Sequence, residues 1–467
     1  MLRFIPRRVL VTAALVAALL GVAGCGCQDA SGRRAARRIC ASANIVVCCI
    51  DAARADHIGW NGYDRPTTPE IDKLASEGVR FENAVTDATY TLAACASLFT
   101  GQYPDTHGAS GVKMRIPREL TTLPEACRAA GMRTAVFSAS GVIIPPHGFR
   151  DGVDHFVRVY TGDPREGRLP DQQKAWRQWL DRIGGERFFM YVHINPPHHP
   201  YERAGQFRGK FDPDYEGSLG HTMEVMKKID AGEMQVSDRD LYHIIAMYDE
   251  ALLYADWAVG TLVRDLRERG LLDNTILVVF SDHGEQFGEH GRFMHSTTVY
   301  NELTHILLTA RFPAGVKGAS QTVAGFAQLS DVAPTLASLA GLELPADQVQ
   351  GFDLTPEIFG GAQVRPAAFS RCLREPKLMR SVEIAGAKGI FDEDGKLSEL
   401  YDLTVDPGEK TNLLKVARAH PELVGRVTGI WRAWAGRQKH LEAEVPPAGR
   451  QKLDKETREW LRAMGYL

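Results

Sequence analysis

Two short polar segments directly follow apolar runs that are typical of buried strands. Asp51 ends the run NIVVCCID, and Asp282 and His283 follow the run TILVVFS. Because open α/β sheets place their ligands at the carboxyl ends of strands, we expect these three side chains to meet in one crevice. Carboxylates and an imidazole bind hard or borderline divalent cations, which need several segments around them. Each residue taken alone has a plainer interpretation, as a turn or cap aspartate or as a surface histidine.

Thr91 begins the helical pattern TLAACASLFTG. At a helix N-terminus its hydroxyl would lie where the dipole and the free amides favour negative charge, which suits a nucleophile. Threonine is also a good N-cap, so a purely structural role is the alternative.

Cys95 follows Thr91 one helical turn later on the same face. It is either a nucleophile in reserve or a packed small hydrophobe, and we favour the second interpretation.

Histidines follow a third apolar run. The segment FFMYVHINPPHHPY contains His193, His198 and His199, and GRFMHSTTVY contributes His295. Imidazoles at such positions can bind an anionic ester or protonate a leaving group. One isolated histidine carries little information, but several clusters near strand ends favour a functional site.

The elements that must position these residues alternate along the chain. Apolar, β-branched runs predict buried strands, as in a parallel sheet, at 45–50, 133–138, 188–194, 275–280 and 306–309. Helices are predicted between them. One begins at Thr68 and Pro69 and ends at Gly78, and another extends from Ser237 to about Leu271 with Gly270 as its C-cap. This alternation predicts an α/β fold with a large, mostly parallel sheet flanked by helices.

The pattern of apolar and polar residues in the sequence changes after Gly360. Short alternating segments with a turn at Asp394-Gly395 precede two predicted helices. We therefore predict a small α+β subdomain at the C-terminus.

Composition sets broad limits. The 467 residues are 44% hydrophobic with a net charge of -3, which is ordinary for a globular protein and does not suggest nucleic-acid binding. The length alone is compatible with about three domains or with one large domain and a smaller one.

The first 25 residues combine a basic start with a short apolar stretch, which predicts an export signal. The stretch ends in Val22-Ala23-Gly24-Cys25, which resembles the bacterial lipobox, so we expect a lipid anchor at Cys25 in a periplasmic or outer-membrane-associated protein. A plain cleaved signal and an uncleaved anchor are the alternatives. Residues 26–43 are polar with four arginines and predict a solvated linker, which could also touch anionic lipid head groups.

The remaining seven cysteines are scattered, without the paired spacing of a zinc site or a disulfide scaffold. Cys48 and Cys49 are neighbours on a predicted strand and therefore point to opposite faces. We expect both to be buried as small hydrophobes.

Six segments occur in an order that resembles a known family. They are NIVVCCIDAARADHIGW, TLAACASLFTGQYPDTHG, HINPPHHPY, SDHGEQFGEHG, DVAPTLASLAGL and ELYDLTVDPGEKTNLL. Together they resemble the sulfatase branch of the alkaline phosphatase superfamily from about residue 44 to the end. The resemblance implies an alkaline-phosphatase-like sandwich, with a catalytic domain at 44–360 and the C-terminal subdomain at 361–467.

The resemblance also implies roles for single residues. Asp51, Asp282 and His283 would bind one divalent metal ion, and Thr91 would be the metal-bound nucleophile. His198 corresponds to the family's substrate-binding histidine.

His295 lies on or near the second cationic position of the family. Three departures from the family pattern stand out. Ala52 replaces a second metal aspartate, Ala93 and Cys95 replace the proline and arginine of the nucleophile signature, and His283 replaces an asparagine.

These departures affect the expected chemistry. Formylglycine is made from cysteine or serine, so none is expected at Thr91, and the elimination step that formylglycine permits is lost. A phosphothreonine, in contrast, can be hydrolysed by attack of water at phosphorus. His283 moves the metal preference from calcium towards manganese, zinc or magnesium.

The leading hypothesis is therefore a metal-dependent hydrolase that acts on phosphoric, phosphonic or sulfuric esters, with phosphorus esters favoured. A transferase that moves a phospho-head group onto a periplasmic glycan would use the same residues. A catalytically silent anion-binding homologue is the alternative outside the enzymes.

Overall fold

The computed structural model describes residues 26–159, 169–217, 219, 223–319, 321–372, 377–416, 420–442, 449–450, 453, 455 and 457–459. The export signal and the lipobox cysteine that we predict within residues 1–25 lie outside the described residues. Within the described part of the chain, no helix has both the length and the apolar composition needed to cross a membrane.

The strands are numbered along the described chain. They are β1 (Asn44–Ile50), β2 (Val79–Val85), β3 (Arg133–Ser138), β4 (His155–Arg158), β5 (Phe188–Ile194), β6 (Thr275–Ser281), β7 (Gln286–Phe287), β8 (Phe293–Met294), β9 (Leu308–Arg311), β10 (Thr322–Gln328), β11 (Ala368–Arg371), β12 (Arg380–Ile384), β13 (Ala387–Phe391) and β14 (Leu397–Asp402).

The helices within the same residues are α1 (Gly26–Cys40), α2 (Pro69–Ser76), α3 (Thr91–Thr100), α4 (Pro104–His107), α5 (Leu123–Ala129), α6 (Leu169–Ile183), α7 (Met223–Asp230), α8 (Asp238–Glu268), α9 (Asn301–Thr304), α10 (Val332–Ala340), α11 (Thr355–Ile358) and α12 (Pro421–Glu442).

Eight of the described strands form the central sheet, in the order β10-β2-β9-β6-β1-β5-β3-β4. Among them β9 runs antiparallel to both of its neighbours, and the other pairs are parallel. The predicted mostly parallel sheet is thus confirmed. The strand predicted at 306–309 begins two residues later, because Ile306 instead forms an isolated bridge with Arg54. Strands β2 and β10 were missed, since exposed residues interrupt their apolar runs, and β4 was missed because it is short and none of its four residues is fully buried.

Strand β1 lies in the middle of the sheet and is buried along its whole length. Its side chains alternate between the two hydrophobic cores that cover the faces of the sheet. Cys48 belongs to the core beneath α8, and Cys49 belongs to the core that contains α3. The predicted burial of this pair on opposite faces is therefore confirmed.

The two helices whose ends we predicted differ in the role of the glycine that follows them. Helix α8 begins after Ser237, which forms a capping box with Asp240, and Gly270 adopts a left-handed φ of 67° just past its end, as expected. Helix α2 starts at Pro69 as predicted, but Gly78 is not its left-handed cap. A Cβ at Gly78 would lie 2.1 Å from the carbonyl oxygen of Ala310, so the close approach of β9 requires the glycine.

The segment that we predicted as a solvated linker is largely helical. Gly26–Cys40 forms α1, which packs against α10, and Ala36 and Cys40 are buried in the core. Arg37 pairs with Asp353 on the exposed side. The arginines suggested a solvated tether, but Ala36 and Cys40 are four residues apart and therefore share one small apolar face.

The C-terminal subdomain is confirmed as a small α+β unit. Strands β11–β14 form an antiparallel sheet, and α12 packs on it through Val427 and Trp431. Gly395 lies in the predicted turn with a φ of 75°. The second predicted helix lies mostly outside the described residues.

Candidate active site

The register of the central strands brings the predicted acidic residues together. Ile50 at the end of β1 pairs with Ile194 of β5 on one side and with Ser281 of β6 on the other. The next residues of β1 and β6, Asp51 and Asp282, therefore leave the sheet side by side at its carboxyl edge.

Both carboxylates are fully buried, so each needs compensation for its charge. Burial and the neighbouring Asp282 raise the pKa of Asp51, whereas Arg203, and His283 when its ring is protonated, oppose that rise. Asp282 Oδ1 accepts hydrogen bonds from the backbone amides of Ala52 and His283, both at 3.0 Å. Ala52 reaches this position with a left-handed φ of 61°, a strained conformation for a residue other than glycine.

The other oxygen of Asp282 indicates what the site could bind. Asp282 Oδ2 is buried and accepts no hydrogen bond from the described residues. One ligand atom from each of Asp51, Asp282 and His283 lies within 4.8 Å of the others. Two buried carboxylates, one with an unsatisfied oxygen, and an imidazole fit a divalent cation by donor chemistry and by charge.

His283 presents a lone pair to this site. Its Nδ1 lies 2.9 Å from the carbonyl oxygen of Gly284, which can only accept, so Nδ1 carries the proton. Nε2 then has its lone pair free and lies 3.4 Å from Asp282 Oδ2 and 3.9 Å from Asp51 Oδ1. This tautomer is the one that a metal-ligating histidine needs.

Thr91 is the first residue of α3, and Tyr90 precedes it as the N-cap. Thr91 Oγ1 lies 3.1 Å from His283 Nε2 and 3.5 Å from Asp51 Oδ1. The hydroxyl therefore faces the acidic cluster and does not serve as the helix cap. Every residue of α3 is buried, which holds this hydroxyl in place.

Three histidines form the adjoining wall of the site. His198, His199 and His295 each place one ring nitrogen within 4.8 Å of the others, close enough to share one ion or one anionic group. The ring of His295 is centred 4.3 Å from the ring of His283, which joins this wall to the acidic cluster. Of the two histidines that we assigned to the site, His295 thus lies next to His283, and the ring of His198 is centred 4.8 Å from that of His295.

Glu285 holds two of these rings. Its carboxylate accepts from His295 Nδ1 at 2.9 Å and from His199 Nδ1 at 3.2 Å. The two imidazoles outweigh the effect of burial and hold the pKa of Glu285 well below its usual range. The third ring, His198, donates from Nδ1 to the carbonyl oxygen of His199 at 2.7 Å. Burial lowers the pKa of His198 well below its usual value, and the neighbouring His199 and His295 lower it further.

The sequence interpretation missed Glu285 and Arg203. Arg203 is buried and donates to the carbonyl oxygens of His198 and His199, at 3.3 and 2.9 Å. Glu285 lies in the quoted segment SDHGEQ, two residues after His283, so its nearness to a strand end was the available signal. Arg203 lies in a loop after the prolines and has no pattern of that kind.

His193 has a different location from the one expected. It lies within β5, fully buried, and its Nε2 is 3.0 Å from Asp51 Oδ2. Its Nδ1 is 2.9 Å from Tyr191 Oη, which in turn is 3.4 Å from Cys95 Sγ. Cys95 is buried as predicted, but its neighbours are polar: Cys49 and His193 each place a donor atom within 4.8 Å.

A comparison with models of known protein families matches residues 43–342 to the family described as Sulfatase. The chain belongs to the sulfatase family. It is a sulfatase-like ester hydrolase, and the family generally binds a divalent metal ion, for which this site has ligand groups.

Proteins that resemble this chain in sequence or in fold carry the names of different ester substrates. The chain is 24% identical to the N-acetylglucosamine-6-O-sulfatase of Bacteroides thetaiotaomicron over 469 aligned residues, 79% of this chain and 82% of the relative. The solved phosphonate monoester hydrolase of Agrobacterium radiobacter has a TM-score of 0.70 at 19% identity, covering 86% of this chain and 96% of that one. A third structure, in complex with its substrate D-glucosamine-2-N,6-O-disulfate, has a TM-score of 0.70 at 21% identity, covering 85% and 98%.

Proposed function

We propose that this sulfatase-family protein is a metal-dependent hydrolase of phosphate or phosphonate esters with Thr91 as its nucleophile. The observation that carries the proposal is the position of the Thr91 hydroxyl, 3.1 Å from a bare imidazole nitrogen and beside two buried carboxylates. A threonine that only stabilised the helix would not need these neighbours.

Asp51, Asp282 and His283 would hold one divalent ion, and Thr91 would complete the ligand set. When bound, the ion supplies positive charge that stabilises the threonine alkoxide and the negative charge of the ester. His283, with its imidazole, favours manganese, zinc or magnesium over calcium in this position.

The protein side chains carry out the reaction in two steps. Thr91 Oγ1 releases its proton to water and forms a bond to phosphorus, while the bond from phosphorus to the leaving oxygen breaks. His198 and His295 are the groups that we assign to the ester anion and to the proton that the leaving oxygen takes up. Water then forms a bond to phosphorus, the bond to Thr91 Oγ1 breaks, and the hydroxyl regains its proton.

The threonine nucleophile is the reason to prefer phosphorus esters over sulfate esters as substrates. A sulfated threonine has no second hydroxyl through which it could eliminate sulfate, so its turnover would require attack at sulfur. A phosphothreonine has an ordinary in-line hydrolysis path. Sulfate-ester hydrolysis is the second candidate, because the likeness to the Bacteroides N-acetylglucosamine-6-O-sulfatase supports it.

The test is a panel of chromogenic phosphate monoesters, phosphate diesters, phosphonates and sulfates, assayed with manganese, zinc, magnesium and calcium. We expect phosphorus esters to be the best substrates and Thr91→Ala to lose roughly 10³-fold or more in kcat. Thr100→Ala is the matched control, since its hydroxyl donates to the carbonyl of Ala96 at the far end of the same helix. A phosphorylated peptide that contains Thr91, found by mass spectrometry after a quench, would mark the intermediate.

Three results would contradict the proposal. Sulfate as the best substrate with a fully active Thr91→Ala variant would refute both the substrate class and the nucleophile. Product transferred to a glycan hydroxyl in preference to water would establish the transferase. No activity with any ester and no bound metal would establish a silent homologue.

A further inference from the structure

A second group of metal-type donors lies behind the active site, outside the set assigned to catalysis. Cys49, Cys95 and His193 are fully buried, and one ligand atom from each lies within 4.8 Å of the others. Cys49 and His193 are cross-strand partners in the parallel pair β1 and β5, so their side chains share one face of the sheet. Cys95 reaches the same place from α3, which covers that face.

Both ring nitrogens of His193 have hydrogen-bond partners. As a carboxylate, Asp51 accepts a hydrogen bond from His193 Nε2 at 3.0 Å, so the proton of the neutral ring is on Nε2. Nδ1 then carries the lone pair, and Tyr191 Oη, 2.9 Å away, donates to it; an ion bound at Nδ1 would replace this hydrogen bond. A carboxylate, a histidine and a metal in this order form a common arrangement around metal-ligating histidines.

The spacing is compatible with one small ion. Zinc binds sulfur at about 2.3 Å and imidazole nitrogen at about 2.0 Å, so its tetrahedral ligands are about 3.5 Å apart. Donor atoms within 4.8 Å of one another can close to this distance through small side-chain movements. Tyr191 Oη lies 3.4 Å from Cys95 Sγ, beside the same group of donors.

Charge and donor softness favour one class of ion. Two thiolates and a neutral imidazole around a divalent ion sum to zero charge, which a fully buried site requires. Thiolates select zinc and similar transition metals, whereas the oxygen-rich cluster of Asp51 and Asp282 suits harder ions. The two sites therefore differ in metal preference, and His193 connects them.

We propose that Cys49, Cys95 and His193 form a second metal site for a thiolate-preferring transition-metal ion such as Zn²⁺. An ion there fixes the orientation of the His193 ring, and His193 in turn holds Asp51 in place through its hydrogen bond to Oδ2. The site fills as the chain folds, because its ligands are buried in the finished structure.

The experiment uses the intact protein, kept reduced and reconstituted with Co²⁺, whose bonds to thiolates produce charge-transfer absorption in the near ultraviolet. We expect this absorption in the wild type, its loss when Zn²⁺ is added, and its absence in Cys49→Ala and Cys95→Ala. Cys48→Ala is the matched control, because this neighbouring thiol belongs to the opposite core and should leave the spectrum unchanged. Elemental analysis should show one equivalent of zinc fewer in Cys95→Ala than in Cys48→Ala.

The wild-type spectrum decides the question even where a variant fails to fold. A reduced wild type that binds Co²⁺ without thiolate charge transfer overturns the proposal. A Cys49–Cys95 disulfide found by peptide mapping of the unreduced protein, with no zinc bound, also overturns it and assigns the pair to a structural bond.

Discussion

Glu285→Gln removes the carboxylate that holds two histidines of the active site. Glu285 accepts one hydrogen bond from His295 and one from His199, and it is fully buried. A glutamine can accept only one of them, because its amide nitrogen is a donor and would face a second N–H donor. The variant loses one charge-assisted hydrogen bond and one buried charge pairing. We therefore expect its free energy of unfolding to be about 2–4 kcal/mol lower than that of the wild type at neutral pH.

The pH dependence gives this prediction a second readout. The pKa of Glu285 is depressed in the folded protein by His295 and His199, so its contribution to stability is fully present above the unfolded value of 4.5. The contribution is lost as the pH falls below 4.5, because the unfolded chain then binds a proton that the folded protein does not. The stability difference between the wild type and Glu285→Gln should therefore shrink as the pH falls below about 4.5.

The assays are urea unfolding at several pH values and steady-state kinetics on the best ester of the panel. Because the histidines are positioned through Glu285, we expect kcat/KM to fall roughly 10–100-fold. Glu289→Gln is the control, since that carboxylate is in the same loop but is partly exposed and pairs with Arg54. Unchanged kcat/KM together with a pH-independent stability difference would refute the reasoning.

Three further outcomes are expected. Asp282→Asn should weaken the metal affinity of the catalytic site at least about 10-fold by metal titration, because it removes a ligand charge; equal affinity would show that the ion lies elsewhere. Gly78→Ala should lower the urea-unfolding free energy by about 2–4 kcal/mol because its Cβ would meet Ala310, whereas Gly32→Ala, in open space on a helix, should not destabilise the protein. Ala52→Asp should shift the ratio of kcat/KM values away from doubly charged phosphate monoesters towards singly charged esters, and a shift of the same size in Ala52→Asn would rule out charge as the cause.

The sequence predicted the part of the site that follows strand ends. Asp51 and Asp282 were placed correctly because a parallel sheet aligns the ends of β1 and β6, and Thr91 was placed by the start of its helix. Glu285 could not be assigned in this way, because its role depends on the direction of a loop that no local pattern encodes. Arg203 was missed for the same reason.

The cysteines show the same limit more sharply. Cys49, Cys95 and His193 are separated by 46 and 98 residues, so no spacing rule for metal ligands connects them. Their proximity is a product of the strand register and of the way α3 packs on β1 and β5. The helix at Gly26–Cys40 illustrates the opposite error. We predicted a solvated linker from the polar, arginine-rich composition of this segment, although the four-residue spacing of its buried residues is that of a helix.

The net charge of the site bears on the choice between phosphate and sulfate. The family pattern has a second metal aspartate where this chain has Ala52, whose side chain is an uncharged methyl group and whose backbone amide donates to Asp282. With a divalent ion held by Asp51, Asp282 and His283, the cluster would therefore be one charge less negative than the pattern implies. A phosphate monoester carries about two negative charges near neutral pH and a sulfate monoester carries one, so the lost carboxylate relieves repulsion most for phosphate. The alanine and the threonine thus favour the same substrate class by independent routes, one through charge and the other through the fate of the covalent intermediate.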